Sequence, residues 1–471
     1  MTDVIKDTVG LFGGAVALAG SGVTVRDDAA LRSAATDRLV WRAVFGSSEE
    51  QEAARWLLWE LGQSSGARPA SINDLYMARG RGECSGFTVP AINVRAMAYD
   101  TARAVFRAAE KGKVGALILE IARSEIAYTE QRPAEYVAVM LAAALREGYT
   151  LPLFIQGDHC QVNQKKYQAD PEAEVGEVKK LIAEEVGAGF YNVDVDTSTL
   201  VDLSKTSLTE QQRLNYERAA EITRFIRDRE PQGVTISVGA EIGEVGGHNS
   251  TVEELHAFME GYNAAVAAGR GGDGISKISV QTGTSHGGVV LPDGSIAEVK
   301  LDLDALAALS REARTKYGLA GAVQHGASTL PADAFGNFPR IETCEIHLAT
   351  NFQNIIFDHP KLPEDLRNAI KTWLAANAQG ERKAGDSEEQ FFYKARKKAI
   401  GPFKRELWSL PEGVRAAIAA DLESTFAFLF AQLKVNGTAD LVRRHVKAPL
   451  QHHAALKPAL VTAEDDADAG E

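Results

Sequence analysis

This chain of 471 residues has few cysteines, and its basic residues are fewer than its acidic ones. The three cysteines, Cys84, Cys160 and Cys344, make neither a disulfide framework nor a Cys-x-x-Cys metal site, so we expect a reducing, cytoplasmic location. The formal net charge is −13. This argues against a nucleic-acid-binding protein, because such proteins neutralise phosphates with clustered lysine and arginine. A small anionic substrate is still compatible, since its site needs only a local positive field.

Long hydrophobic runs are missing as well. The apolar stretch near the N-terminus, "VGLFGGAVALAG", is too short to span a bilayer. Asp3 and Asp7 precede it, which is atypical of the positively charged start of a signal peptide. We interpret the stretch as an amphipathic or packing helix and expect no membrane partner.

Short apolar runs and helical segments alternate from about residue 86 onwards. Eight runs have strand character: "FTVPAINV", "VGALILEIA", "LPLFIQGDH", "FYNVDVDTS", "VTISVGAEIG", "SKISVQTGTSH", "LAGAVQHGAS" and "TCEIHLATN". Such alternation predicts right-handed crossovers and a parallel sheet. Eight units over about 270 residues favour a closed (β/α)8 barrel, an α/β fold, over an open sheet. We predict a helical N-terminal extension over 1–80, the catalytic barrel over 81–360, and a helical C-terminal arm with an acidic tail over 361–471.

Polar residues follow or end several of these predicted strands. They are Asp158 and His159 at the end of the third, Asp196 at the end of the fourth, Glu241 at the end of the fifth, His286 at the end of the sixth and His325 at the end of the seventh. The carboxyl ends of barrel strands meet on one face, where active sites of this fold lie. Any one of these histidines is more often an ordinary polar residue at a strand end. Three imidazoles from three strands, however, fit a zinc site that keeps a fourth position for substrate or water.

Two further features of this face leave alternatives open. Asp158 could orient the neighbouring ligand or act as an acid or base towards substrate. Glycines follow two of the histidines in "SHGG" and "HGAS", and backbone N–H groups there could approach a phosphate, or these could be plain turn glycines. Ser328 and Thr350 could donate hydroxyl groups to the same anion.

The motifs "VPAINV", "GDHC", "VDTS", "AEIGEVGG", "TGTSHGG", "QHGAS" and "EIHLATN" together resemble the class II, zinc-dependent fructose-bisphosphate aldolases. The resemblance implies a zinc ion held by the three histidines and proton transfer by Asp158. It further implies an alternative or second divalent-metal site at Glu241 and Asp196, and a substrate contact at Asn93. One phosphate would be held at Gly287, Gly326, Ser328 and Thr350, and the far phosphate would be reached by Arg396.

The implied activity is cleavage or formation of a ketose phosphate. Fructose 1,6-bisphosphate would give dihydroxyacetone phosphate and glyceraldehyde 3-phosphate, with zinc polarising the carbonyl and stabilising the enediolate. We expect a small-molecule sugar phosphate as substrate, and a homodimer or higher homo-oligomer.

The chain also departs from the family pattern. "GGHNST" puts His248 where the family has acidic residues of proton transfer, so His248 is our candidate for the second acid or base. On the eighth strand His347 and Ala349 replace an asparagine and an aspartate, and the lysine expected after the first His-Gly motif is missing. An alternative therefore stays open: a non-catalytic barrel that supports a partner aldolase subunit or senses sugar phosphates.

Overall fold

The N-terminal part of the chain combines helices with a small hairpin. The structure, a computed structural model, describes residues 2–20, 22–243, 248–269, 272–283 and 301–453. The first elements are α1 (Thr2–Gly10), β1 (Val16–Ala19), β2 (Gly22–Val25), α2 (Ala34–Phe45), α3 (Ser48–Ser65), β3 (Pro69–Ala70) and α4 (Asn73–Gly80). The helix that we predicted for the apolar stretch 9–20 was wrong: α1 ends at Gly10, the chain turns at Gly13 and Gly14, which have positive φ, and Val16–Ala19 forms β1, paired antiparallel with β2. The division of the chain into three domains stays a proposal.

The eight predicted strands are all present and close into a barrel. They are β4 (Val89–Asn93), β5 (Ile118–Ala122), β6 (Leu153–Gln161), β7 (Asn192–Asp196), β8 (Ser237–Glu241), β9 (Lys277–Val280), β10 (Ala322–Gln324) and β11 (Glu345–Leu348). Each strand pairs in parallel with the next, and β11 pairs with β4 to complete the ring. The short β3 is not part of this ring; it pairs in parallel with the start of β6. The prediction of a (β/α)8 barrel is confirmed.

Helices surround the barrel and continue beyond it. Those of the barrel are α5 (Ala98–Gly112), α6 (Arg123–Thr129), α7 (Pro133–Glu147), α8 (Gln164–Ala169), α9 (Pro171–Ala188), α10 (Leu208–Arg227), α11 (Val252–Ala267), α12 (Leu303–Tyr317), α13 (Asn337–Arg340) and α14 (Thr350–Asp358). The C-terminal arm contains α15 (Glu364–Asn377), α16 (Glu388–Ala395), α17 (Lys404–Trp408), α18 (Glu412–Gln432) and α19 (Ala439–His445). Among the described residues, no helix combines the length and apolar character needed to cross a bilayer.

The end of the described chain returns to the N-terminal helices. Trp59 on α3 donates its indole N–H to the Gln451 carbonyl at 2.7 Å, and Trp56 donates to the His453 carbonyl at 3.2 Å. The His453 ring stacks on Trp59 with centroids 3.8 Å apart. Residues 446–453 therefore fasten the C-terminal arm to α3.

Candidate metal centre in the barrel

A β-bulge in β6 turns two adjacent residues into the barrel. Gly157 pairs with Val193 of β7 and Cys160 with Val195, so Asp158 and His159 together oppose one residue. Successive side chains of a regular strand point to opposite faces, but the extra residue of a bulge re-aims them. His159 has a φ of 43°, a left-handed backbone that few non-glycine residues adopt. We predicted that the strand would end at this pair. That was wrong, because the ladder resumes after the bulge and runs to Gln161.

Three donors from three strands converge at the carboxyl ends of the barrel. The Nδ1 atoms of His159 and His325 lie 3.8 and 3.7 Å from Glu241 Oε2, and the two rings are 4.3 Å apart. One donor atom from each of these side chains lies within 4.8 Å of one from the others. We call His159, Glu241 and His325 the outer donor set. Two imidazoles and a carboxylate fit a borderline divalent cation such as Zn²⁺.

Asp196 stands behind this set and holds His159. Its Oδ2 lies 3.3 Å from His159 Nδ1 and accepts a 2.6 Å hydrogen bond from the Gln161 amide. Its Oδ1 accepts from the backbone N–H and the hydroxyl of Ser198 at 3.0 and 2.7 Å. Such contacts fix the orientation of the His159 ring, as a carboxylate next to a ligand histidine would. Its role as a metal ligand itself stays a prediction.

The electrostatics of the outer donor set favour a bound cation. Burial opposes a charge on His159, but Asp158, Asp196 and Glu241 outweigh it and raise the pKa of that imidazole well above its ordinary value. Burial, with the charge of Asp196, also raises the pKa of Glu241. The carboxylates around His159 therefore favour a positive charge at this position, and a divalent cation could supply it in place of a proton on the ring.

A network of buried charges lies deeper in the barrel. The ammonium of Lys277, fully buried on β9, donates to Gln156 at 2.7 Å, to Glu345 at 2.5 Å and to Asp194 at 3.0 Å. Burial alone would raise the pKa of Glu345, but Lys277 and His347 outweigh it and lower that pKa to about 2. The sequence analysis missed this network. The pattern that could have indicated the network is a charged residue inside several otherwise apolar strands, for example in "SKISV" and "CEIHL".

His347 connects this network to the site. Its Nε2 lies 2.8 Å from Glu345 Oε1, and its Nδ1 lies 3.2 Å from Asp158 Oδ1 and 3.1 Å from Glu120 Oε2. Its ring also packs edge-on against His325 at 4.1 Å. The sequence marked His347 as a departure from the family pattern, and the structure puts it among the predicted catalytic and metal-binding residues.

The predicted phosphate residues lie in neighbouring turns after β10 and β11. Gly326 has a φ of 69° and precedes a short 3-10 helix that contains Ser328. The Ser328 hydroxyl accepts a 2.6 Å hydrogen bond from the Ala349 N–H, beside Thr350 at the start of α14. These two turns are therefore in contact, as a shared anion site would require.

Asn93 lies at the end of β4, where its side-chain amide donates to Glu125 at 2.6 Å. Its carbonyl oxygen accepts from the Arg95 guanidinium at 3.1 Å. His248 lies 2.8 Å from Glu254 on α11, and its side chain is 54% exposed. Arg396 pairs at 2.6 Å with Asp358, the last residue of α14. His286 and Gly287 lie outside the described residues, as does Gly288.

A family model for class II fructose-bisphosphate aldolase matches residues 81–404 of the sequence. The chain belongs to the class II fructose-bisphosphate aldolase family. The match extends past the barrel and includes the start of α17. No curated protein sequence matches significantly.

Several solved structures are similar to this aldolase-family chain at low identity. A fructose-bisphosphate aldolase from Campylobacter jejuni is 16% identical, with a TM-score of 0.47 over 80% of this chain and 95% of that one. An aldolase from Escherichia coli K12 is 15% identical, with a TM-score of 0.40 over 73% and 99%. A fructuronate-tagaturonate epimerase from Cohnella laeviribosi is 13% identical, with a TM-score of 0.49 over 84% and 86%.

Proposed function

We propose that this chain is a metal-dependent aldolase that cleaves or forms a ketose phosphate, with fructose 1,6-bisphosphate as the first substrate to test. The observation that carries the proposal is the outer donor set with Asp158 beside it. Asp158 Oδ1 lies 3.9 Å from His159 Nε2 and 3.8 Å from His325 Nε2. This acid and these donors lie at the carboxyl ends of the strands, inside the part of the chain that matches the family.

The outer donor set would hold the metal, with His286 as the further ligand implied by the resemblance. A divalent ion bound there supplies a Lewis acid for the ketose carbonyl. Asp158 is 6% exposed and adjacent to a ligand. It would move the proton of the C4 hydroxyl as the C3–C4 bond breaks or forms. Asn93 would contact the substrate hydroxyls beside it.

The second proton-transfer group is proposed to be His248. The ring is near enough to solvent to exchange protons. An imidazole is suited to act as acid and base near neutral pH. A His248→Asn variant tests this role: a loss of kcat with KM unchanged supports it, and an unchanged kcat refutes it.

Gly326, Ser328 and Thr350 are proposed to bind one phosphate, together with Gly287. Arg396 is proposed to reach the far phosphate, and for this it must exchange Asp358 for the substrate. We further propose a cytoplasmic homodimer or higher homo-oligomer, with a sugar phosphate as the small-molecule partner.

The test is release of triose phosphate from a panel of ketose mono- and bisphosphates, with Zn²⁺ and again with EDTA. EDTA-sensitive cleavage of fructose 1,6-bisphosphate supports the proposal as stated. Cleavage of another ketose phosphate alone supports the aldolase activity but refutes fructose 1,6-bisphosphate as the substrate. No cleavage by metal-loaded protein would sink the aldolase proposal and favour the non-catalytic barrel.

A further inference from the structure

A second mixed set of donors lies deeper in the barrel than the outer donor set. We call it the inner donor set; it consists of Asp158, Asp194, His325 and His347, all buried. One donor atom from each lies within 4.8 Å of one from every other. Asp194 comes two residues before Asp196 on β7, so it points to the same side of the strand about 7 Å further in.

The separations within the inner donor set suit a small divalent ion. Asp158 Oδ1 lies 3.2 Å from His347 Nδ1 and 3.8 Å from His325 Nε2. Asp194 Oδ2 lies 3.6 Å from the opposite nitrogen of His347, Nε2, so that distance does not belong to the same coordination sphere. Donors bound tetrahedrally at about 2.1 Å are ~3.4 Å from each other. The two distances from Asp158 Oδ1, 3.2 and 3.8 Å, lie on either side of this separation.

The two donor sets share the imidazole of His325, and each set uses a different nitrogen of that ring. Nδ1 of His325 faces Glu241 at 3.7 Å, whereas Nε2 faces Asp158 at 3.8 Å. A histidine ring has one lone pair on each nitrogen once both are deprotonated, and either nitrogen can serve as a ligand. Binding of both ions at once therefore requires His325 to lose its remaining N–H proton and to bridge the two ions as an imidazolate.

Charge supplies the third argument. Four buried carboxylates face His347 within 4 Å: Glu120, Asp158, Asp194 and Glu345. Among the described residues that contact these carboxylates, Lys277 contributes the ammonium, and it is shared between Asp194 and Glu345. So many buried carboxylates around one imidazole are costly unless cations or protons offset their charge, and a proton on His347 is one such offset. A divalent ion next to Asp158 and His347 would offset two of them.

We propose that the inner donor set binds a second divalent cation, a borderline transition ion such as Zn²⁺. Mixed imidazole and carboxylate donors select such ions over Ca²⁺ and Mg²⁺, which prefer oxygen alone. This site differs from the one that the resemblance implies for Glu241 and Asp196, because it uses His347 and the other nitrogen of His325. The inference does not rest on the proposed aldol reaction, although it assigns Asp158 to the ion as well as to proton transfer.

The experiment is to load the full chain with Zn²⁺, dialyse it, measure zinc per chain by plasma mass spectrometry, and locate the ions by anomalous diffraction. We expect about two ions per chain, one near each nitrogen of His325. His347→Asn removes the inner imidazole and should retain about one ion, near Glu241. His256→Asn is the matched control, because that ring pairs with Glu312 on the surface, and it should retain both ions.

One ion in the natural chain overturns the proposal, and so does a second ion bound elsewhere. Retention of both ions by a folded His347→Asn variant also overturns it. If that variant does not fold, the anomalous map of the natural chain decides by itself. Two bound ions without any aldol cleavage would refute the proposed function and support this inference. Aldol cleavage by a chain that binds one ion would support the proposed function and refute this inference.

Discussion

Asp158 is the residue on which the proposed chemistry depends most. Replacement by asparagine keeps the shape of the side chain but removes its ability to accept a proton. We expect Asp158→Asn to lower kcat for the cleaved ketose phosphate by about 10²–10⁴-fold. The outer ion should remain, because His159, Glu241 and His325 are unchanged. Steady-state kinetics with parallel metal analysis measures both.

Asp202→Asn is the control for Asp158, because that carboxylate is exposed and contacts its near neighbours Ser204 and Lys205. It should keep its rate. A rate near that of the natural chain in metal-loaded Asp158→Asn would exclude Asp158 as the acid or base.

Gly239 makes room for the ion pair of Lys277. A Cβ at this position of β8 would lie 2.8 Å from Lys277 Cε and closer still to Asp194 Oδ1. Neither side chain can yield easily, since Lys277 is held by three partners. We expect Gly239→Ala to lower the free energy of unfolding by about 1–3 kcal/mol, measured by urea denaturation.

Gly176 provides the contrast for Gly239. It is exposed in the middle of α9, and an added Cβ there meets nothing within 4 Å. Gly176→Ala should stabilise the chain by about 0.5–1 kcal/mol. Equal effects of the two substitutions would refute the steric argument.

At the scale of elements, α9 packs a carboxyl group against β6. Glu185 accepts a 3.3 Å contact from the Cys160 thiol, and its burial raises its pKa from 4.5 to about 8. Between pH 4.5 and about pH 8, Glu185 keeps its proton in the folded chain but has lost it in the unfolded chain. Stability therefore falls as the pH rises through this window, by up to about 1.4 kcal/mol per pH unit.

Glu185→Gln cannot ionise, so we expect it to reduce this slope between about pH 5 and pH 8. The free energy of unfolding, measured in urea at several pH values, checks the prediction. Glu177→Gln on the same helix is the control, since that side chain is 57% exposed and should leave the slope unchanged. An unchanged slope in Glu185→Gln would mean that this carboxyl titrates normally.

The strands could be predicted from the sequence because each is a short apolar run between turn residues. The approach of Asp158, Glu241 and His325 followed from the same pattern, since parallel strands bring their carboxyl ends together. The bulge could not be predicted, because the sequence "GDHC" does not reveal the left-handed backbone of His159. The Lys277 network was also missed, because its partners come from strands that are not neighbours along the chain.

At the scale of the whole molecule, residues 446–453 join the two ends of the described chain. A chain that stops at Val446 loses the acceptors of Trp56 and Trp59 and the stacked His453 ring. We expect a loss of about 3 kcal/mol of stability, from two hydrogen bonds and one aromatic contact. Tryptophan emission should shift to the red, because water would then reach both indoles.

A chain that stops at His453 keeps these contacts and serves as the control. It should unfold at the same urea concentration as the full chain. If the two truncations behave alike, the segment does not fasten the arm to α3.

The bulge in β6 has an evolutionary consequence. Because the extra residue is what directs both Asp158 and His159 inward, loss of one residue there would restore a regular ladder and send one of the pair to the opposite face. A single in-frame deletion of one codon could thus separate the acid from the ligand in one step, while every strand stayed in place. Point substitutions remove these two groups one at a time. We therefore expect relatives that have lost the chemistry but kept the barrel to differ in the length of this strand.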